Sequence, residues 1–328
     1  MTTYPQINGL RVKYLSADPA NPETGQVWYN STTGALRVDG IVVAGSWASG
    51  GNLTTARSYI AGGGIQNAAL GVAGYVGPPS GVRALTEEYN GTSWSEQNDL
   101  GTTRYSTSRG LGTQTAFIAA GGNNPSATPV TNSELYNGSS WTATNALNTA
   151  RSYLAGFGTS TAGLVVGGAN PRSSAVNNSE SFDGTNWSAN PATPFTLKSG
   201  ASSGPATAGV FAGGTPPAST TTSFEINSTT WTAGGALSVG RNAMGFGGQG
   251  ATQTAAWVAG GTPSTTATEH YNGTSWSSAP VIASARSGMG GAGSQSSGLI
   301  FGGSPDSGTA ATEEFTGATV ETKTITLS

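Results

Sequence analysis

The chain has no cysteine, so neither a disulfide framework nor thiolate chemistry is open to it. It has one histidine, His270, which excludes a His-rich metal site and leaves a Ser-His-Asp relay almost without material. Charged residues make up only 9%, against ~25% in ordinary soluble domains. The net charge of -3 argues against a nucleic-acid or anionic-membrane surface. No apolar run approaches the ~20 residues that a membrane helix needs, so no membrane insertion is expected. The opening MTTYPQINGL lacks a basic-plus-apolar leader, so synthesis in a cytoplasm without standard export is the expectation. No glycine-rich stretch leads into Lys-Ser/Thr, as a phosphate loop would require.

What remains is 51 glycines among 328 residues, with abundant Ser, Thr and Asn. Without a period, such a composition would imply disorder. A period is there. Trp47, Trp94, Trp141, Trp187, Trp231 and Trp276 are spaced by 47, 47, 46, 44 and 45 residues. Repeats of that length are the mark of propeller blades.

Each copy runs through the same succession of segments. An Ala/Gly stretch suits an innermost strand, where backbones crowd. A short apolar run follows and ends in two glycines, as in 117–122, 164–168, 210–214, 257–261 and 299–303. Its continuous hydrophobicity fits burial on both faces. The first copy reads Val72-Ala73-Gly74-Tyr75, as though its second glycine were lost. After a polar loop comes Glu-x-aromatic-Asn-Gly-x-x-Trp, as in 87–94, 134–141 and 269–276; the sixth copy puts Val320 at the Trp position. Asn-Gly and Asp-Gly at 90–91, 137–138, 183–184 and 272–273 predict two-residue type I′ hairpins between the third and fourth strands.

Ten charges occupy two repeat positions. Glu87, Glu134, Glu180, Glu269 and Glu313 stand seven residues before the Trp position. Arg57, Arg104, Arg151, Arg241 and Arg286 stand ten residues after a Trp. A ring of carboxylates could bind metal or sugar. A buried Glu–Arg bridge in each blade explains the same recurrence more simply, because a charge kept in every copy serves every copy. In the copy between Trp187 and Trp231, Phe224 replaces the Glu and Leu197 the Arg, so both partners vanish together; Lys198 and Glu225, one residue away, are candidate substitutes. The carboxylates at Glu87-Glu88 and Glu313-Glu314 are strand neighbours that face opposite ways, so neither pair can flank one glycosidic bond. His270 and Trp257 fall in strand positions. No catalytic residue, metal site or cofactor is expected.

The double glycine, the spaced Glu-x-aromatic and the closing Trp resemble the kelch repeat over about residues 48–328. That resemblance implies an all-β, kelch-like β-propeller of four-stranded blades around a channel. The Asn-Gly turns and low charge depart from typical eukaryotic kelch domains, which puts an adaptor or actin-binding role in doubt. Residues 20–47, with Asn21-Pro22-Glu23-Thr24-Gly25-Gln26-Val27-Trp28-Tyr29-Asn30 and Gly34-Ala35-Leu36-Arg37-Val38, resemble a hairpin module of tailed-bacteriophage tail and virion structural proteins.

Six blades are expected, with Trp47 to Leu53 as a fourth strand that closes the ring. The alternative is a seventh, irregular blade from residues 25–53 and the tail 321–327. The division expected is 1–46 as an arm and hairpin, residues 1–24 being extended and needing a partner, and 47–328 as the propeller. The implied role is a virion structural protein, a tail or fibre-associated propeller. It would contact other virion proteins through residues 1–53 and host surface polysaccharide through its exposed loops. Those loops lie between the double glycine and the Glu motif, where spacing to the Trp position varies from 15 to 19 residues. Asn123, Asn124, Asn170, Arg172 and Asp306 are the candidate contact residues. The alternative role is a kelch-type interaction propeller outside any virion.

Overall fold

A computed structural model describes residues 12–20, 26–78, 81–171, 174–216, 218–248, 250–304 and 308–325. Among them there are strands, turns and bridges but no helix. The described residues form seven sheets. The chain divides into two compact units, one of residues 1–45 with 317–328, the other of Ser46–Thr316.

The smaller unit is one sheet. β1 (Lys13–Leu15) lies parallel to β2 (Val27–Asn30), and β2 pairs antiparallel with β3 (Ala35–Val43). The last strand, Thr319–Ile325, pairs antiparallel with the other edge of β3. Two expectations change here. Part of the supposed arm is a sheet strand, and the tail, expected within the propeller, belongs with the hairpin. Asp18 ties the unit together, accepting hydrogen bonds from Trp28 Nε1 and Asn30 Nδ2 (both 2.9 Å) and contacting Arg37 at 2.8 Å.

The larger unit holds six sheets in chain order. The first comprises Ala61–Ile65, Ala68–Val72, Thr86–Tyr89 and Trp94–Gln97. The third, fourth and fifth repeat that antiparallel four-strand meander. The sixth takes its outer strand from the other end of the unit: β4 (Ser46–Ser49) pairs with Thr312–Thr316, placing Trp47 opposite Phe315. That is the closure anticipated from Trp47. The second sheet has three strands, because the segment where its innermost strand would lie is interrupted.

The sheets close into a ring, and the backbone records it. Tyr59, Ser106, Tyr153, Ser199, Ala243 and Gly288 each begin an inner segment, and all six have positive φ. Each donates its N–H to the carbonyl of the equivalent residue one sheet back: Ser106 to Tyr59, Tyr153 to Ser106, Ser199 to Tyr153, Ala243 to Ser199 and Gly288 to Ala243. Tyr59 donates to Gly288 at 2.7 Å and completes the circle. Hydrophobic clusters fill the seams. Phe117 of the second sheet packs with Leu70 and Val72 of the first, and Phe301 of the sixth packs with Tyr89 and Trp94 of the first. The second strands are buried along their length, as their apolar runs predict. This is β-propeller architecture.

Two local expectations need correction. In the first copy, Ala73 has φ 61° and Gly74 follows with φ 124°, so the first glycine is the one replaced. The Asn-Gly hairpins have four-residue loops, since Tyr89 pairs with Trp94. Only Gly91 is left-handed, at φ 89°. Asn90 earns its place through its side chain, whose Oδ1 accepts the N–H of Thr92 and Ser93 (both 2.9 Å). Asn137, Asp183 and Asn272 do the same. The two-residue turn occurs in the fourth sheet, where Asn227 pairs with Thr230 and Ser228 takes φ 58°.

Candidate binding face

The Arg and Glu positions come together as buried pairs. The ion contacts are Arg57–Glu87 (2.9 Å), Arg104–Glu134 (2.8 Å), Arg151–Glu180 (2.7 Å) and Arg286–Glu313 (2.6 Å), with Arg241–Glu269 also in contact. Each Arg joins two sheets. Its carbonyl accepts the N–H of the second glycine one sheet back, as Arg151 O does from Gly122 at 2.8 Å. Its side chain serves its own sheet: Arg151 Nη1 donates to Gly167 O and Asn178 O, and Nη2 to Glu180. The other carboxylate oxygen accepts a backbone N–H three residues before the Arg, from Thr54, Gly101, Asn148, Ser238 or Ala283. In the first repeat the Arg57 and Glu87 charges touch, but no N–H is aimed along the contact. These charges are directed at one another and at the backbone of the ring.

The double glycine permits this approach. A Cβ on Gly121 would lie 2.5 Å from Arg151 O, and both glycines of the pair have positive φ. In the fourth repeat Leu197 keeps the backbone role, accepting Gly168 N–H at 3.0 Å. An aromatic group stands where the ions would be, Phe195 stacking on Phe211 and Phe224 at 4.5 and 4.6 Å. Glu225 is no substitute: it accepts the Tyr271 hydroxyl of the next sheet. Lys198 bridges Thr215 through its backbone.

One end of the sheets carries both the hydrogen-bonded ring and the variable loops. The residue before each ring position bridges the residue after each second glycine, as Tyr105 does with Asn123 and Ser152 with Ala169. Four half-buried tyrosines cluster there. Tyr59 sits edge-on to Tyr153 and Tyr105, with centroids at 6.0 and 6.1 Å, and Tyr105 neighbours Tyr75 at 6.0 Å. Burial pushes the Tyr153 phenol up to about 12. Burial also raises Tyr105, while the adjacent Asn123 and Tyr153 pull it back.

Arg109 reaches this cluster from inside. The left-handed Gly112 comes six residues after Ser106, where Gly64 comes five after Tyr59 and Gly158 five after Tyr153. The extra residue interrupts the inner segment of the second sheet. Ser108 keeps contact with Ala120 through both its backbone N–H and its Oγ, and Arg109 turns into the channel. Its Nη1 donates to Met244 O at 3.3 Å, on the segment entering the fifth sheet, diametrically across the ring. Arg109 is 2% exposed, and its Nη2 has no hydrogen-bond partner among the described residues. Burial lowers its pKa to about 10, with the Tyr59 and Tyr153 hydroxyls acting against that. It remains a cation at neutral pH, with no carboxylate paired to it among the described residues.

The predicted contact residues fare differently. Asn123 is buried beside Tyr105 and supports it rather than facing solvent. The reason is the bridge to Tyr105, which pulls that position into the sheet end. Asn124 Oδ1 accepts Ser126 and Thr128 N–H (both 3.0 Å) and shapes its loop. Asn170 likewise accepts Ser174 N–H at 3.2 Å. Arg172 and Asp306 lie outside the described residues. His270 is a half-buried strand residue, edge-on to Phe315 at 5.3 Å, and burial lowers its pKa. Trp257 is core at 1% exposed. Among the described residues no three His, Cys, Asp or Glu side chains gather.

A second set of links escaped the sequence reading. Tyr136 donates to Glu88 at 3.0 Å, Tyr89 to Glu314 and Tyr271 to Glu225, each across a seam. The signal was available. The aromatic position is Tyr only where the residue after the Glu position one copy earlier is Glu. Leu135, Ser181 and His270 precede Phe182, Ile226 and Phe315 instead.

No protein-family model matches the chain, and no curated protein matches it. Among solved structures, that of YjhT, a kelch-like propeller-type fold, aligns with TM-score 0.66 at 13% identity. The alignment covers 82% of this chain and 99% of that one. The likeness is one of fold.

Proposed function

We propose that this chain is a virion structural protein of a tailed bacteriophage: a six-bladed, kelch-like propeller mounted on a tail or fibre through its smaller unit. Its loop face would meet host surface polysaccharide or a neighbouring virion protein. It would be made in the host cytoplasm and carry no enzymatic activity. The observation that carries the mounting is the separate sheet built around the β2–β3 hairpin, the segment that resembles virion modules. The six-blade count rests on the six-membered backbone ring and on β4 completing the sixth sheet. The face opposite in character to an ordinary charged surface, with loops of Asn, Ser and Thr around a tyrosine cluster, suits sugar or wet protein contacts. The Arg–Glu pairs are given no part in recognition, being buried and directed at one another and at the backbone.

The test is localisation. Cryo-EM of particles from the source that encodes this chain, combined with mass spectrometry of their proteins, should place it on a tail or appendage with the smaller unit against a virion neighbour. Particles that contain no trace of the chain, with the protein found free in the cell, would overturn the virion role in favour of a free interaction propeller.

A further inference from the structure

The channel mouth has a charge that the fold does not neutralise. A buried guanidinium is ordinarily paired, because an uncompensated charge away from water is costly. The five repeat arginines obey that rule, each beside its glutamate. Arg109 does not: one nitrogen meets a main-chain carbonyl and Nη2 is left without a partner among the described residues. It owes its place to a single added residue in one repeat, so the ring closes equally well without it in the other copies.

We propose that the mouth over Arg109, walled by Tyr59, Tyr105 and Tyr153, binds the carboxylate of an acidic sugar residue. The carboxylate supplies the missing counter-charge to Nη2, in a contact of the charge-assisted kind that guanidinium favours. The phenol rings offer faces for the sugar ring and hydroxyls for its polar rim. None of the ring positions is an acid, the others being Ser106, Ser199, Ala243 and Gly288. Tyr59 and Tyr153 are half-buried and interact electrostatically with the guanidinium, so binding requires these side chains to turn aside. This deepens the glycan-recognition part of the proposed function and is independent of where in a particle the chain sits.

The experiment is isothermal titration of the full chain with glucuronate, glucose and acetate. Arg109→Met, which replaces the cation with an apolar chain of similar length, is titrated in parallel. Glucuronate is expected to bind, acetate more weakly and glucose not measurably, and Arg109→Met should weaken glucuronate by about tenfold or more, the effect of losing one charge-assisted hydrogen bond. Equal binding of glucuronate by the variant overturns the role of Arg109. Glucose binding as well as glucuronate, or no glucuronate binding at all, overturns the acidic-sugar assignment. Should Arg109→Met fail to fold, the three ligands on the native chain still decide. None of these failures bears on particle localisation, so the two proposals fall separately.

Discussion

The seam between the first and second sheets and the seam between the second and third share one device and differ in the rest. Both have an Arg whose carbonyl reaches back and whose guanidinium holds a Glu, Arg104 with Glu134 and Arg151 with Glu180. At the first seam two further clasps cross over. Gln114 Nε2 donates to Ala69 O and Tyr89 O, and Tyr136 donates to Glu88. At the second seam the corresponding positions are Ser160, Leu135 and Phe182, and none can make those bonds. An open groove of about 430 Å³ lies there, lined by Leu135, Tyr136, Ser160 and Thr161. The same clasps recur where the sixth sheet meets the first, through Gln66 and the Tyr89–Glu314 bond. The seam between the fourth and fifth sheets carries both clasps as well, through Gln253 and the Tyr271–Glu225 bond, so the joint where the two chain ends meet is one of three fully clasped seams among the described residues.

The largest effect should come from the shared device. Glu134→Gln and Glu180→Gln each leave a buried guanidinium without its counter-charge and should lower stability by about 3–5 kcal/mol. Thermal or urea unfolding measures it. Equal losses would show that the bridge is the same element at a clasped and an unclasped seam. Much of the loss should return in Glu134→Gln/Arg104→Leu, as the fourth repeat already works with Leu197 and Phe224. An unchanged melt for the single variants would mean that the carboxylates face solvent after all.

Next comes alkaline pH, which acts on the clasped seams as well as on the tyrosine cluster, where Tyr153 is also raised. Burial, and then the Glu partner, raises the phenols of Tyr89 and Tyr271 from 10 to about 12, and Tyr136 is raised for the same reasons. A group whose folded pKa lies above its unfolded value binds its proton more tightly when folded. Its stabilising contribution is complete below pH 10 and is lost as pH rises through the window to about 12. Unfolding free energy should fall across that window, and a variant with Phe at positions 89, 136 and 271 should flatten the decline. A decline of the same steepness in that variant would assign the alkaline loss elsewhere.

Smaller still are the individual clasps. Gln114→Ala and Tyr136→Phe should each cost about 1 kcal/mol, the net worth of ordinary hydrogen bonds. Amide exchange should speed up in Thr86–Tyr89 and Ser133–Tyr136 and leave Ser179–Phe182 as it was. Exchange that spreads evenly around the ring would mean that the seams do not open independently.

How much of this was readable depended on repetition. The Trp period, the four-strand meander, the double glycines and the Arg–Glu pairs were legible because five or six copies say the same thing. The Asn-Gly loops were located correctly and built wrongly, since Asn acts through its side chain in a four-residue loop. Arg109 was silent, because one extra residue in one copy looks like noise in a spacing argument. The tyrosine cluster was invisible for a related reason: Tyr59 and Tyr153 share a repeat position with Ser106, Ser199, Ala243 and Gly288, and only the closed ring brings their rings together. The Tyr–Glu clasps were encoded between copies, and reading each copy against the same template averages that signal away. The tail strand Thr319–Ile325 alternates like any strand, and its pairing with the hairpin segment was read only in the alternative that joined residues 25–53 to the tail.

The smallest expected effect is a gain. Leu135→Glu with Phe182→Tyr would write the first seam's clasp into the second, in the register that Glu88 and Tyr136 occupy one sheet earlier. Neither change should help alone. Leu135→Glu removes an apolar side chain that packs against the core of that seam, and Phe182→Tyr adds a hydroxyl to a ring that is 2% exposed, with no acceptor opposite it. Together they should couple, because the hydroxyl then has its carboxylate, and the coupling energy should be about 1 kcal/mol. A double-mutant cycle in urea measures it directly. A coupling indistinguishable from zero would mean that the covariation between one copy and the next reflects packing of ring against aliphatic chain rather than the hydrogen bond. A positive coupling, with slower amide exchange in Ser179–Phe182, would show that the bare seam lacks the clasp for want of two side chains and not because its backbone sits too far apart.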